Sequence, residues 1–436
     1  MSKPSFLITA VIMSLWVCNA RAQEKILTID ELFRLTNENS KSIRISQTAL
    51  SQAAEAVAVA KTNRLPSVDV SLSASYMGDG RVWDRDFTNG MKAPIPHFGN
   101  NFSIEVSQVI YGGGAISAGI ETVGLQRQIA ELNVQNNSQN ARFLVLGYYL
   151  ELYKLNNQSD VYRKNIARTE LLLEHIRARR AEGVALQNDI TRYELQLEQL
   201  RLGLTELRNN ASIINFQLVS TLALPEETII VPDSMLLAME IPALSGEQWQ
   251  QQAEALQPGL KIADLSVSLG RQQERITRSE RLPKVALVAA NHLTGPVTIE
   301  IPALNKNFNY WYVGIGVQYN IGSLWKSQSK SRMNHFATVR AEQSLGLERE
   351  ETEIAVNSAY TMLRQAYEQV RTQEKSVDLA VQNYKVINNR YLNDLALLTD
   401  MIDASNQQLA AELSLANARI NVIYNYYKLK RVTGTL

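Results

Sequence analysis

Cysteine is almost absent from this chain. Cys18 stands alone among 436 residues, which excludes a disulfide framework and a thiolate metal site. Proline is scarce and unevenly placed, with none of the 11 between His97 and Leu224 or between Ala303 and Leu436. An interior proline costs a helix roughly 3 kcal/mol, so two proline-free stretches of that length favour very long helices. Neither sign of charge dominates. The 44 Lys+Arg against 43 Asp+Glu leave a formal charge of +1, and no global field exists to recruit nucleic acid. The four histidines, His97, His175, His292 and His335, are dispersed without the His/Glu spacing that builds a metal site. No nucleophile, base and orienter constellation marks an enzyme, and no cofactor is expected. The glycine-rich run Tyr111-Gly112-Gly113-Gly114 lacks the Lys-Ser/Thr of a phosphate loop and reads as a strand-to-helix bend.

Long apolar runs are missing too, except at the start. Residues 1–22 carry Lys3, an apolar run from Phe6 to Cys18 and a small-residue exit at Ala20-Arg21-Ala22, the pattern of a cleaved export signal. The run is about a dozen residues, too short to span roughly 30 Å of hydrocarbon. Cleavage before Gln23 leaves 42 basic against 43 acidic residues, a net charge of −1. Lipoprotein cleavage at Cys18 is disfavoured by Trp16 and Val17 just before it. After Ala22 no run of ~20 apolar residues recurs, which excludes a helical membrane protein.

What is present is written twice. Arg64-Leu65-Pro66-Ser67-Val68 returns as Arg281-Leu282-Pro283-Lys284-Val285, an offset of 217 (281 minus 64). Farther along, residues 179–189 (RRAEGVALQND) align with residues 390–400 (RYLNDLALLTD) at an offset of 211, so one loop is longer in the first copy. Residues 23–232 form one repeat, 233–244 a linker and 245–436 the second repeat. Each copy reads helix, strand, loop, strand, very long helix, tight turn, helix. The opening helix, read as one element, starts at a capping box, Thr28-x-x-Glu31, and should end before Pro66. The long helices, residues 115–182 and 327–393, would each extend about 100 Å at 1.5 Å per residue. From Ile190 the positions Tyr193, Leu197, Leu200, Leu204, Leu207, Ala211, Ile214 and Leu218 step alternately by 3 and 4, a coiled-coil seam. Leu195 and Leu202 lie off it and suggest a second contact face. A similar seam runs from Ile402 to Tyr427, interrupted at Asn406. Arg177-Ala178-Arg179-Arg180, interleaved with Glu174 and Glu182, reads as solvated helix surface.

Between opening helix and long helix the period changes to 2. Strands are expected at residues 67–77, 101–111, 284–293 and 309–320. Val68, Val70, Leu72, Ala74 and Tyr76 alternate with Asp69, Ser71, Ser73 and Ser75, whereas residues 284–293 alternate poorly. Strands of about ten residues with one apolar face and terminal aromatics carry the pattern of a transmembrane barrel. An amphipathic sheet over a soluble core is the other reading. Four strands cannot close a barrel in lipid, where every edge must be paired, so several copies must share one barrel, and three would give twelve strands. Asp69 and Glu105, on the polar strand faces, are candidates for lining the barrel lumen or simply structural polarity.

An export signal, a duplicated half, strand pairs opening with R-L-P-x-V and preceding Y-G-G-G, and helices of this length together resemble the TolC family of outer-membrane efflux proteins. The resemblance covers essentially the whole chain after residue 22. It implies a mainly α fold with membrane β: duplicated long helical hairpins forming a trimeric α-barrel across the periplasm, and four strands per chain in a shared 12-stranded outer-membrane barrel. It implies a passive exit duct, not an enzyme, working with a periplasmic adaptor and an inner-membrane transporter in efflux or type I secretion. The resemblance puts the tunnel's periplasmic tip at the two hairpin turns, residues 182–189 and 393–400. Asp400 and Asp403 match the aspartates that ring the entrance, and Asp189 and Tyr391 match an acid and a tyrosine that hydrogen-bond between neighbouring coils. Gly183 keeps the glycine of the first turn, Asp394 replaces it in the second, and Ala396 stands where an arginine completes the latch. Read without the family, Asp189 and Asp400 are helix N-caps. A periplasmic adaptor would carry one hairpin between compact β domains, and a pore-less exported coiled coil would leave the strands and the duplication unexplained.

Overall fold

The structure, a computed structural model, describes residues 24–393 and 395–436. The expected export signal, Cys18 and Asp394 lie outside the described residues. The first half runs through β1 (Glu24–Leu27), α1 (Ile29–Asn39), α2 (Lys41–Thr62), β2 (Ser67–Tyr76) and a small hairpin, β3 (Gly80–Val82) with β4 (Met91–Ala93). It continues with β5 (Phe98–Tyr111), α3 (Ala115–Ala181), α4 (Gln187–Leu222) and β6 (Ile229–Pro232). The second half repeats the plan with α5 (Gly246–Leu256), α6 (Pro258–Ser279), β7 (Lys284–Gly295), β8 (Phe308–Gln318), α7 (Ser323–Leu392) and α8 (Leu398–Val432). The chain is mainly helical, and the two long helices contain 67 and 70 residues.

Two compact units cut across these halves. One comprises the described part of Met1–Ser46 with Val134–Pro258 and Arg349–Leu436, and the other comprises Gln47–Asn133 with Gly259–Glu348.

The opening helix is not continuous. It breaks at Ser40, whose φ −63° and ψ 120° are extended and whose amide closes α1 on the Thr36 carbonyl at 2.9 Å. In the second copy Gln257 has nearly the same φ −63° and ψ 119°. There Pro258 explains the break, because a proline forces its predecessor out of the helical region and opens the next helix itself. Ser40 has no proline behind it, so the interruption belongs to the repeat and proline merely fixes it in one copy. The capping box at Thr28 forms by half: the hydroxyl accepts from the Glu31 amide at 3.3 Å, while the Glu31 carboxylate pairs with Lys25 at 2.9 Å.

In the first unit, β1 and β6 pair in parallel, an association of distant segments without a period-2 signal in four residues each. Tyr149 on α3 holds this ribbon. Its side chain is fully buried, and its hydroxyl donates to the Leu27 carbonyl at 2.5 Å and accepts from the Asp233 amide at 2.9 Å. Burial pushes that hydroxyl up to about 12. Around it lie Leu27, Leu32, Leu146, Leu218, Leu222, Ile230 and Leu429, all 0–1% exposed. At ~1.5–3 kcal/mol for each fully buried apolar side chain, this cluster dominates the stability of the unit.

The second unit holds an antiparallel sheet in the order β2-β5-β7-β8. Chain reversal from β5 into α3 requires glycine. Gly113 and Gly114 have φ +65° and +86°, and a Cβ at Gly113 would stand 3.0 Å from Leu282 and from the Ser279 carbonyl, as the bend expected from the sequence demands. Beside the sheet α6 and α7 are joined by Asn334 Nδ2 to Thr277 Oγ1 at 2.6 Å, and Arg281, just past the end of α6, donates from Nε to Ser327 Oγ of α7 at 2.6 Å.

Candidate functional site

Two hairpin turns and one sheet carry the residues singled out by the sequence. The α3–α4 turn closes by a Schellman motif. Val184 N–H donates to the Arg179 carbonyl and Gly183 N–H to the Arg180 carbonyl, both at 2.9 Å, with Gly183 at φ +79°. The α7–α8 turn uses the equivalent six-residue bond, Leu395 N–H to the Arg390 carbonyl at 2.8 Å. Both following helices open identically. Leu186 and Leu397 occupy the N-cap positions, and the Asp189 and Asp400 carboxylates each reach back to that residue's amide at 3.1 Å. The aspartates are therefore not N-caps but third-position acids, each supplying the carboxylate half of a capping box whose other half a leucine cannot provide.

Asp403 lies one turn beyond Asp400 and is exposed. With Thr399 and Ile402 of α8 it lines a groove shared with Arg192, Leu195, Gln196 and Gln199 of α4. Leu195 and Leu202 are about three-fifths exposed, at 61% and 60%, so the face off the α4 seam is unoccupied within one chain, while Tyr193, Leu197, Leu200, Leu204 and Leu218 of the seam are buried.

Tyr391 is buried beneath the turns. Among the described residues no hydrogen bond joins it to Asp189 within one chain. What meets it is Arg179, whose guanidinium sits 5.6 Å from the ring centroid and donates to the Tyr391 carbonyl at 3.2 Å. Arg168 repeats the arrangement, 4.9 Å from the Tyr384 ring and donating to Gln408 Oε1 at 2.8 Å. The basic cluster is thus not uniformly solvated surface: Arg177 pairs across the hairpin with Glu194 at 2.8 Å, and Arg179 turns inward. Sequence reasoning missed both inward arginines and Tyr384. The available signal was spacing. Eleven residues separate the arginines and seven the tyrosines, so each pair returns to one helical stripe. A small core of Leu172, Leu173, Ile176, Ile190, Tyr193, Leu197, Leu398 and Met401 fills the space beside them, with Ala396 packed against it. Within it the Tyr193 hydroxyl has no hydrogen-bond partner among the described residues, and burial raises its pKa strongly, with Tyr384 and Tyr391 adding to the shift.

In the sheet, register sorts the residues into two faces. Asp69 stands directly opposite Glu105 and Ser71 opposite Ser103; Glu105 then faces Ala290 and Ser103 faces His292, which continue to Tyr312 and Tyr310. His292 stacks on Tyr310 with centroids 5.1 Å apart. The other face assembles Val68, Val70 and Leu72 with Val106, Ile104 and Phe102, then Ala289 and Leu293, then Val313, Ile315 and Val317. Pairing thereby assigns β7, whose own alternation was poor, to the same two faces. One polar break, Asn291 with Asn309, closes on itself by reciprocal side-chain contacts at 3.3 Å. The apolar face is bare: Leu72 is 78% exposed, Trp311 72% and Ile315 70%. Strands β2 and β8 leave their outer edges unpaired in the sheet order.

Among the described residues no helix is long and apolar enough to cross a membrane, and no group of three or more His, Cys, Asp or Glu could hold a metal ion. His97 is instead bonded through Nδ1 to the Met77 carbonyl at 2.8 Å, and His335 lies 3.5 Å from Glu274.

No family model matches the chain. It is similar to the outer membrane efflux protein BepC of Brucella suis biovar 1, with 22% identity over 409 residues, 92% of this chain and 83% of that protein. Among solved structures it resembles the outer membrane protein VceC of Vibrio cholerae, with a TM-score of 0.77 and 13% identity over 93% of this chain and 96% of that one. It also resembles the CmeC outer membrane channel of Campylobacter jejuni, with a TM-score of 0.71 and 14% identity over 93% and 85% of the two chains. The likeness to TolC-type outer-membrane channels holds in fold along nearly the whole chain.

Proposed function

We propose that this chain is the outer-membrane exit duct of a tripartite efflux or type I secretion system, a homotrimer that conducts passively and performs no catalysis. One observation carries the reading. A four-stranded sheet offers an exposed apolar face, interrupted at Asn291 and Asn309, and two unpaired edges, a combination that water does not tolerate and lipid tolerates only after closure. Three copies, each placing β2 beside a neighbour's β8, close twelve strands and turn Val70, Leu72, Val313 and Ile315 toward outer-membrane lipid. Asp69 and Glu105 then face the lumen. Two related observations support the reading: the Tyr76, Phe98 and Phe308 aromatics at one end of the strands suit a membrane interface, and BepC is named an outer membrane efflux protein.

The export signal expected at residues 1–22 supplies the address, and the repeats at residues 23–232 and 245–436 supply two hairpins per protomer to a twelve-helix tunnel. At its tip three copies of Asp400 and Asp403 bring six carboxylates together. Such a ring favours cations and repels anions at close range. Asp189, Tyr391, Gly183 and Asp394 belong to the same tip, where a periplasmic adaptor and through it an inner-membrane transporter would dock.

Single-channel recording of the purified protein in a planar bilayer tests this. The expected result is a small cation-preferring conductance whose preference falls in Asp400→Ala/Asp403→Ala. A folded sample that never inserts or conducts would sink the duct.

A further inference from the structure

The tip lacks an arginine at Ala396, yet two arginines of the other hairpin reach the same region. We propose that Arg179 and Arg168, acting through the ring faces of Tyr391 and Tyr384, form the clasp that holds the two hairpins of a protomer together and keeps the tip shut. This rests on the duct reading, because it concerns the entrance that Asp400 and Asp403 line.

Arg179 does two things at once. Tyr391 is the penultimate residue of α7, so its carbonyl is among the last four that a helix leaves without an internal partner. The Arg179 guanidinium satisfies that carbonyl from a different hairpin and places positive charge at the negative end of the α7 dipole. The same cation lies over the Tyr391 ring, where burial in the tip core strengthens cation–π attraction. Arg168, three helical turns earlier on α3, ties that helix to α7 through Tyr384 and to α8 through Gln408. Gln408 is 3% exposed and donates on to Glu412 at 2.7 Å, so this second contact is a half-buried crosslink of three helices.

The mechanical consequence follows from where the acids sit. Asp400 and Asp403 are carried by α8. Widening a ring of them requires the α7–α8 tip to swing relative to α3–α4, and that swing separates Arg179 from the end of α7 and Arg168 from Gln408. The clasp therefore resists opening through fixed charges on α3 and through ring faces on α7. It does not need the Tyr391 hydroxyl.

That last point makes the test specific. In planar bilayers Arg179→Gln and Arg168→Gln should each raise open probability about fivefold, the double variant more, corresponding to loss of a partly desolvated cation–π pair. Tyr391→Leu should match Arg179→Gln, whereas Tyr391→Phe, which keeps the ring, should gate like wild type. Cation preference should be unchanged throughout, because Asp400 and Asp403 remain. Open probability is read from inserted channels, so poor folding lowers their number and not the readout; Arg179→Lys, keeping charge without the planar fork, should fall between wild type and Arg179→Gln. Wild-type gating in both arginine variants, in channels whose selectivity still depends on Asp400 and Asp403, would overturn the clasp and leave the duct standing. Opening by Tyr391→Phe to the level of Tyr391→Leu would overturn it too, by assigning the latch to the hydroxyl. Absence of conductance from the wild type would remove both.

Discussion

Two tyrosines of the helical unit are equally deep and oppositely served. Tyr149 and Tyr193 are 0% and 2% exposed. The Tyr149 hydroxyl uses its proton on Leu27 and a lone pair on Asp233, tying α3 to the ends of both strands of the β1–β6 ribbon. The Tyr193 hydroxyl is buried with no hydrogen-bond partner among the described residues. A buried unpaired hydroxyl is retained at a cost of ~1–3 kcal/mol. The contrast teaches that the two apolar clusters are built for different tasks: the one around Tyr149 gives its central hydroxyl two partners and is made to stay shut, whereas the tip cluster keeps an atom that gains whenever water enters.

The largest effect should come from breaking the satisfied side. Tyr149→Phe strands a carbonyl and an amide in a dry cluster, and denaturation in detergent should show a loss of about 3 kcal/mol per protomer. The same residue sets an alkaline limit. Tyrosine titrates near 10 in the unfolded chain, while burial raises Tyr149 to about 12 and, at Tyr427 in the same cluster, also to about 12. Between those values the folded state holds more protons than the unfolded one, so the contribution is complete below pH 10 and falls away as pH rises toward 12. Unfolding midpoints measured across that range should decline in wild type and decline less steeply in Tyr149→Phe.

Why the tip cluster was partly legible in the sequence and the cluster around Tyr149 less so follows from range. The seam residues Tyr193, Leu197, Leu200 and Leu204 announce themselves by local period, and burial agrees. The faces of β2, β8 and most of β5 are likewise written in alternation, whereas β7 acquires its faces from its neighbours, β8 and a strand, β5, paired to it across 174 to 195 residues of sequence. The β1–β6 ribbon, the break at Ser40 and the small β3–β4 hairpin depend on tertiary pairing or on three- and four-residue segments too short to show a period. At the tips, Asp189 and Asp400 are recognisable as helix-start acids, but their position three residues inside the cap is a matter of turn geometry. The inward course of Arg168 and Arg179 was hidden because a basic residue on a long helix reads the same whether it faces water or a ring on another hairpin.

The two turns sharpen the comparison at intermediate scale. They share backbone bonds and one aspartate each, but the position three residues on has diverged, Arg192 in the first hairpin and Asp403 in the second, 211 residues apart. Asp189→Ala and Asp400→Ala should therefore cost alike, about 1 kcal/mol for a lost helix-start bond. Only Asp400→Ala should move the reversal potential, since Arg192 offsets the charge beside Asp189 while Asp403 reinforces Asp400. Matched shifts in both stability and selectivity would show that the turns are equivalent and that the second is not set apart as an entrance.

The smallest effect is the most telling about the tip. Tyr193→Phe removes a hydroxyl without removing volume from the ring's packing, and because that hydroxyl has no hydrogen-bond partner among the described residues, nothing is stranded by its loss. Stability should hold or rise by up to about 1 kcal/mol, the reverse of Tyr149→Phe for the same chemical change. If instead Tyr193→Phe weakens the fold as Tyr149→Phe does, the hydroxyl is bonded in the assembled protein, and the two tyrosines serve their clusters alike. Should it stabilise, the deletion of one oxygen favours the dry arrangement of a core that joins α3 and α4 to α7 and α8, and the orphan hydroxyl becomes the counterweight that leaves this junction able to open.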